Sequence, residues 1–428
     1  MALLLLALLA VTTAALRAAA LGDGTGPTDV PYVEAFLGRK PPEPQQWNTF
    51  LRENLEPDLA PWRARAPLRT AEVVRQFEAF KEFYKGPAAL QLVLIYNNTV
   101  YWLDRPDPNG PEPDMTWASM YIVKLHRKLT AALQSGRVQL PNCLFIYVTD
   151  DNVFRFGDPR RNQTAPHFAL MKAVGVPGGG ADLDILLPQM RDVSDSLHMV
   201  PWPLKTDLAF FRGVPTCTGK WIERYGYLDS CSRVVLSYYT DRDTKAGNGT
   251  VLDVAITEPF QYRAAENSSV AYLPPVKPAV PIPQWSRYKW LLNLEGVVAA
   301  YRLSQLMTVN SLVLFQRVPY IEYFYRSIQP WQHYVPFWNA TGTDGQLRGM
   351  DDVYDVVREL RRLDAQEPAK IQQIIANAQT FAARFLTNHM RIAYYKAALE
   401  QYKSLFPDMD AYIAQTLLPE LGAKGWRI

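Results

Sequence analysis

At 428 residues the chain exceeds the usual domain length of about 100 to 200, so the length predicts two cores rather than one. Apolar residues supply 48% of it and charged residues 20%, a balance that excludes a polar, disordered chain. A formal charge of only +3, scattered without a basic stripe, excludes a surface built for phosphate backbones, and nucleic acid is not expected as a partner.

Ala2 to Leu16 form an almost unbroken apolar run, followed by Arg17 and the small residues Ala18 to Ala20. The pattern predicts a signal peptide over 1–21. The run is shorter than the about 20 apolar residues of a bilayer span, and a single N-terminal membrane anchor is the alternative. Five Asn-x-Ser/Thr sequons, at Asn97, Asn162, Asn248, Asn267 and Asn339, also point to the secretory pathway, in the Golgi or endoplasmic reticulum lumen. Among three cysteines, Cys217 and Cys231 can close a short loop there and leave Cys143 as a buried thiol; three reduced thiols is the other reading.

A Pro/Gly-rich stem is expected over 22–46, and folded structure from Trp47. Helical spacing over Thr70 to Tyr84 and Trp117 to Leu133 alternates with the apolar runs Leu90 to Tyr96 and Cys143 to Val148, which predicts an α/β first domain over 47–204. Pro201 and Pro203 then break the chain before the strand-like run Leu208 to Phe211, which ends in Arg212-Gly213. A second domain is expected over 205–395, with buried strands at Arg233 to Tyr239 and Ser311 to Phe315 and a helix over Gly296 to Met307. Asp351 and Asp352 cap a helix whose apolar face is Val353, Val356, Val357 and Leu360. The last residues, 396–428, read as a helical extension.

Two patterns bear on metals. Asp241-Arg242-Asp243 has an Asp-x-Asp spacing but follows an expected strand and precedes a glycine-containing loop, so it reads as solvated loop, and the five histidines lack zinc spacing. No metal site and no cofactor are expected.

Trp285 to Pro336 is the most informative stretch. A strand leading into Glu295-Gly296 and then a helix would present backbone N–H groups to a pyrophosphate, with Arg302 about two turns on as a planar cation. The stretch resembles the Rumi and capsule-associated family of glycosyltransferases, its KDEL-containing protein O-glucosyltransferase branch nearest. The shared series is Glu295-Gly296, Ala299-Ala300-Tyr301-Arg302-Leu303, Ser311 to Leu314, Glu322 before Tyr323-Phe324-Tyr325, and Gln329 to Pro336. Farther back, Phe210 to Gly213 is similar to the family's Phe-Arg-Gly-Ser-Arg-Thr element, and Cys143 to Asp151 to a strand ending in a catalytic aspartate.

The resemblance implies a GT-B type α/β fold: two Rossmann-like domains facing a cleft, with the C-terminal helices crossing back. It implies that Arg212, Gly213 and Thr216 lie near the donor diphosphate, together with Lys289, Asn293, Glu295, Gly296, Arg302 and Ser311. Arg212 and Arg302 would direct their guanidinium groups at the same diphosphate. Glu322 would bind the ribose hydroxyls, and Asp150 would be the general base. The family's second arginine is Pro215 in this chain, for which Lys220 or Arg233 is a substitute. The implied activity is inverting transfer of glucose or xylose from UDP-glucose or UDP-xylose to a hydroxyl of a glycoprotein or glycan acceptor. The rival expectations are a catalytically inactive sugar-binding descendant and a secreted glycoside hydrolase with paired carboxylates.

Overall fold

The computed structural model describes residues 33–36, 41–81, 89–104, 118–149, 163–174, 183–216, 231–247, 249–259, 262–263, 271–272, 275–318, 320–338 and 352–428. The N-terminal apolar run, Asp150 and Asp151, Cys217, Lys220 and the sequons at Asn162, Asn248, Asn267 and Asn339 lie outside the described residues. Among those described, no helix is long and apolar enough to cross a membrane. The fold is mixed α/β, and the chain divides into two compact units, Ser194–Arg317 with Ile328–Arg384 and Met1–Lys40, and Pro41–Val193 with Val318–Ser327 and Phe385–Ile428.

The first unit is built on a five-stranded sheet in the order Leu252–Ile256, Thr206–Gly213, Tyr288–Asn293, Leu312–Gln316, Val335–Phe337. Every pairing in it is parallel. Its strands are runs of Leu, Val, Phe and Trp without polar alternation, as a sheet covered on both faces requires, and Leu312–Gln316 is buried at every position.

Two elements here differ from their sequence reading. Arg233 to Tyr239 is not a strand but part of the helix Ser232–Ala246. Among its buried positions Ser232 and Arg233, then Leu236 and Ser237, then Thr240 recur every three to four residues, and the small serines among them hide that period from a hydrophobicity reading. Gly247 ends the helix in the left-handed conformation at φ 67°. Thr240 then docks it on the sheet, its Oγ1 donating to Leu236 O and accepting from Val254 N. Conversely, the helix expected over Gly296 to Met307 contracts to the single turn Leu303–Leu306. Gly296 N donates to Val298 O, so the chain turns there, and helical bonding begins only with Leu303 N to Ala300 O.

The second unit contains a mixed sheet in the order Thr99–Trp102, Leu90–Tyr96, Cys143–Val148, His167–Ala169, Ile185–Leu186. The first two pairings are antiparallel and the last two parallel, where the sequence implied a Rossmann-like sheet. The cause is local. Asn97 and Asn98 both take positive φ, 46° and 59°, which makes a two-residue hairpin turn and reverses the chain at once. The exposed Asn97 sequon sits on that turn. The helix Asn388–Lys403 buries Met390, Arg391, Tyr394, Tyr395, Ala398, Leu399 and Tyr402, and the Tyr402 hydroxyl donates to Leu144 O of the sheet.

A buried ionic hub ties this unit together. The Asp58 Oδ1 atom accepts from Arg326 Nη2 at 2.7 Å and pairs with Lys172 Nζ at 2.5 Å, while Oδ2 accepts from Leu186 N at 3.0 Å. Lys172 Nζ also donates to Asp184 O and Arg326 Nη1 to Asn54 O. One carboxylate thus fastens an N-terminal helix, two strands and the 318–327 segment. Removing it strands two cations in a dry interior. Asp58→Ala should therefore lower unfolding stability by about 3–5 kcal/mol, read as a shift of the denaturant midpoint; a change below about 1 kcal/mol would mean the hub is well solvated.

Candidate anion-binding site at the strand ends

The candidate site lies within the first unit, where Thr206–Gly213 ends in Phe210, Phe211, Arg212 and Gly213. Successive side chains of a strand point to opposite faces, so Phe210 and Arg212 share one face and Phe211 takes the other.

On the Arg212 face the guanidinium lies 4.5 Å from the Phe210 ring centroid, and Phe210 stacks on Tyr288 at 3.9 Å. Arg212 Nη2 donates to Asp253 Oδ1 at 2.7 Å and Nη1 to Asp253 O at 2.7 Å. Lys277 Nζ reaches the same carboxylate at 3.0 Å, and the Tyr288 hydroxyl donates to its other oxygen at 3.3 Å. Burial works against the Asp253 carboxylate, but Arg212 and Lys277 hold it below the usual carboxylate range. Burial and the neighbouring Asp253 push the Tyr288 hydroxyl up to about 12.

On the Phe211 face two guanidinium groups meet one ring. Arg302 lies 4.6 Å from the Phe211 centroid and 5.6 Å from that of Trp285; Arg233 lies 5.5 Å from Phe211. Arg302 Nη1 donates to the carbonyl of Arg212 at 2.9 Å. Arg233 donates to Val214 O at 2.7 Å, Thr216 Oγ1 at 2.5 Å and Leu294 O at 3.3 Å. Its buried Nε has no hydrogen-bond partner among the described residues. Burial first, and then the charge of Arg302, hold the Arg233 guanidinium well below its ordinary value, with Glu295 opposing them. Burial pushes the Glu295 carboxyl up to about 7, against a hydrogen bond from Gln316.

Two glycines let the cations approach. A Cβ on Gly213 would meet Phe211 Cζ at 2.9 Å and Arg302 Nη2 at 3.0 Å; one on Gly296 would meet Arg233 Nη2 and Thr216 Oγ1, each at 3.0 Å. The arrangement is a cradle of buried N–H donors with like charges drawn together, and an anion is the ligand that relieves such repulsion.

The structure thus gathers Gly213, Thr216, Glu295, Gly296 and Arg302, and of the two substitutes named for the arginine at Pro215 it brings Arg233 to the same place. The guanidinium of Arg212 does not join that of Arg302: it crosses to the other face, and only its carbonyl contributes. The helix start expected at Gly296 is replaced by a turn, so charge here comes from arginines rather than from a helix end. Asn293 closes its strand beside this region, buried, with Oδ1 lacking a partner among the described residues. Lys289 instead pairs with Asp364 at 2.6 Å and lies over Trp202 at 5.3 Å. Ser311 sits at the opposite end of the parallel sheet, where its Oγ donates to Tyr288 O and accepts from Lys205 Nζ. His333 is a packing residue, its Nδ1 accepting from Gln329 N and its ring against Phe381.

Glu322 falls in the second unit. It is fully buried, accepts from the Tyr325 hydroxyl at 3.2 Å, and is pushed by burial up to about 8 despite Arg391. Asp241 and Asp243 occupy the last turns of Ser232–Ala246 rather than a loop; two residues apart, they point roughly 200° from each other around the helix. Asp241 pairs with Lys245, and Asp243 with Arg242 and the Tyr354 hydroxyl. Asp253, Trp285 and the Phe211 platform were not foreseen; the one sequence signal for them is the period-2 alternation through Phe210-Phe211-Arg212.

Glycines, a threonine hydroxyl and clustered arginines gather at the carboxyl ends of parallel strands in an α/β fold, where such sheets offer a crevice for ligands. The profile of Glycosyl transferase family 90 matches residues 182–409, more than half of the chain, and the chain belongs to that family. It is 31% identical over 223 residues to human Protein O-glucosyltransferase 3, covering 51% of this chain and 37% of that one. To O-glucosyltransferase rumi of Drosophila melanogaster it is 28% identical over 149 residues, 35% of this chain and 31% of that one. The matched stretch therefore spans about a third of the length of these relatives. The crystal structure of Anabaena Alr3699/HepE in complex with UDP and glucose aligns with a TM-score of 0.33 at 8% identity over 66% of this chain and 77% of that one, too little to define a shared fold.

The Glu322 carboxyl gives a pH signature. Between about pH 4.5 and 8 the folded chain holds a proton that the unfolded chain has released, so this contribution to stability is full below about 4.5 and is lost as pH rises through about 8. Glu322→Gln should flatten that decline by on the order of 4 kcal/mol, read from denaturation midpoints at pH 5 and pH 8.5. An equal decline in both proteins would assign the titration to another group.

Proposed function

We propose that this chain is a UDP-sugar-dependent glycosyltransferase in which the Arg233–Arg302 cradle receives the donor diphosphate. The carrying observation is the pair of guanidinium groups converging on the Phe211 ring between Gly213 and Gly296, within the stretch matched by the family. Departing UDP gains negative charge as the sugar bond breaks, and fixed cations already in place stabilise that charge without reorganisation. In this reading no metal is needed for the leaving group. Lone pairs of an acceptor hydroxyl attack the anomeric carbon, its bond to the diphosphate oxygen breaks, and the hydroxyl proton passes to a base. The resemblance assigns that base to Asp150. Attack opposite the departing UDP inverts the anomeric centre.

The relatives' names favour glucose as the sugar and a protein hydroxyl as acceptor. Xylose differs by one hydroxymethyl group, which a pocket discriminates by only about 1–3 kcal/mol, so a panel of UDP-sugars with candidate acceptors decides the donor. A GT-B type α/β fold belongs to the same proposal, as does work in the secretory lumen, which the sequons and the apolar N-terminal run support.

Arg302→Ala and Arg233→Ala should each weaken UDP binding by about ten- to a hundredfold, the scale of losing charge-assisted hydrogen bonds, measured by calorimetry. Arg212→Ala should act mainly on stability, because it removes the shortest of the ion pairs to Asp253 and leaves that carboxylate with Lys277 and the Tyr288 hydroxyl. UDP binding that survives both substitutions on the Phe211 face would overturn the site. A separate kinetic test bears on the base: Asp150→Asn should leave UDP affinity in place and cut transfer about a hundredfold or more. Undiminished turnover would place the base elsewhere.

A further inference from the structure

The cradle depends on the start of the helix Ser232–Ala246, and that start lacks the usual fastening. Its N-cap is Cys231, in extended geometry at φ −62° and ψ 107°, with no side-chain hydrogen bond to the helix. Serine, threonine, asparagine or aspartate normally fills this position because its oxygen satisfies an N–H of the first turn. Cys231 is instead disulfide-bonded and buried, and its Sγ lies 3.9 Å from Thr216 O. The Cys231 carbonyl accepts from Val234 N and Val235 N, both at 2.9 Å, so the first helical bonds hang on its placement. Arg233 stands two residues farther on. Its donors reach Val214 O and Thr216 Oγ1 across the same junction, with Thr216 N folded back on Val214 O at 2.8 Å.

We propose that the disulfide at Cys231 is a positioning bond for the anion cradle: it fixes the first helical turn against the Thr216 turn, so that Arg233 is aimed before the diphosphate arrives. The inference rests on the diphosphate reading of the cradle. A covalent tie suits this position better than a hydrogen-bonded cap. Arg233 and Arg302 lie over one ring, so a helix start fixed in place keeps the two like charges aimed together. Holding the arrangement in advance removes an ordering cost from binding. Cys231 does not touch the ligand in this scheme and acts through Arg233 and Thr216.

Cys217 is the partner that the sequence suggests, so two single variants separate the bond from the side chain. Cys231→Ser and Cys217→Ser should each weaken UDP binding about tenfold, while binding of uridine, which carries no phosphate, is unchanged by ligand-observed NMR. Equal losses for UDP and uridine would mean a merely structural bond and overturn the proposal. So would unchanged UDP affinity in both variants, or a loss in Cys231→Ser alone. Arg302→Ala is the control for the underlying reading: if it weakens UDP while the cysteine variants do not, only the positioning role falls. If Arg302→Ala also binds UDP normally, the diphosphate reading falls and this proposal falls with it.

Discussion

Side chains along a β-strand alternate between faces, and that constraint at Phe210-Phe211-Arg212 governs the candidate site. Because Phe211 points away from its neighbours, its ring is a surface that both Arg302 and Arg233 reach, at 4.6 and 5.5 Å. A guanidinium over an aromatic face gains about 0.5–1 kcal/mol when exposed and about 2 when desolvated, which offsets part of the cost of burying it. Arg212, one step along, is carried to the opposite face and neutralised by Asp253. One strand therefore separates a satisfied ion pair from a concentrated positive charge.

Geometry holds that concentration in place. Arg233 donates to two backbone carbonyls and a threonine hydroxyl, and burial pushes Glu295, whose charge acts on Arg233, up to about 7. Carbonyl and hydroxyl partners orient a guanidinium without cancelling its charge, which leaves it able to meet an anion. The two glycines complete the arrangement, since a Cβ at Gly213 would press on the Phe211 ring at 2.9 Å and one at Gly296 would crowd Arg233 and Thr216 at 3.0 Å.

The second unit uses charge differently. Around Asp58 two cations are paired and the structure is locked, whereas the buried Glu322 keeps a carboxyl with one oxygen that no described group satisfies. Its proton is retained at neutral pH because burial outweighs the attraction of Arg391. A neutral acid can donate a hydrogen bond as well as accept one.

Local pattern determined much of this protein. The apolar runs Leu90–Tyr96, Cys143–Val148 and Leu312–Gln316 are strands, and Thr70–Lys81 and Asp352–Gln366 are helices, because period and capping are written within a dozen residues. Gly213, Thr216, Gly296 and Arg302 stand in short ordered motifs that resemble the family's, and the fold brings them together. Tertiary structure decided what spacing cannot encode. Arg233 to Tyr239 has both β-forming residues and a helical burial period, and docking of Thr240 on the sheet settled the choice. Whether Arg212 meets Arg302 by side chain or by carbonyl depends on strand facing, and Ser311 and Lys289 were drawn away by partners in Tyr288 and Asp364. These partners lie between 23 and 90 positions apart in the chain, and only the register of the folded sheet brings them into contact.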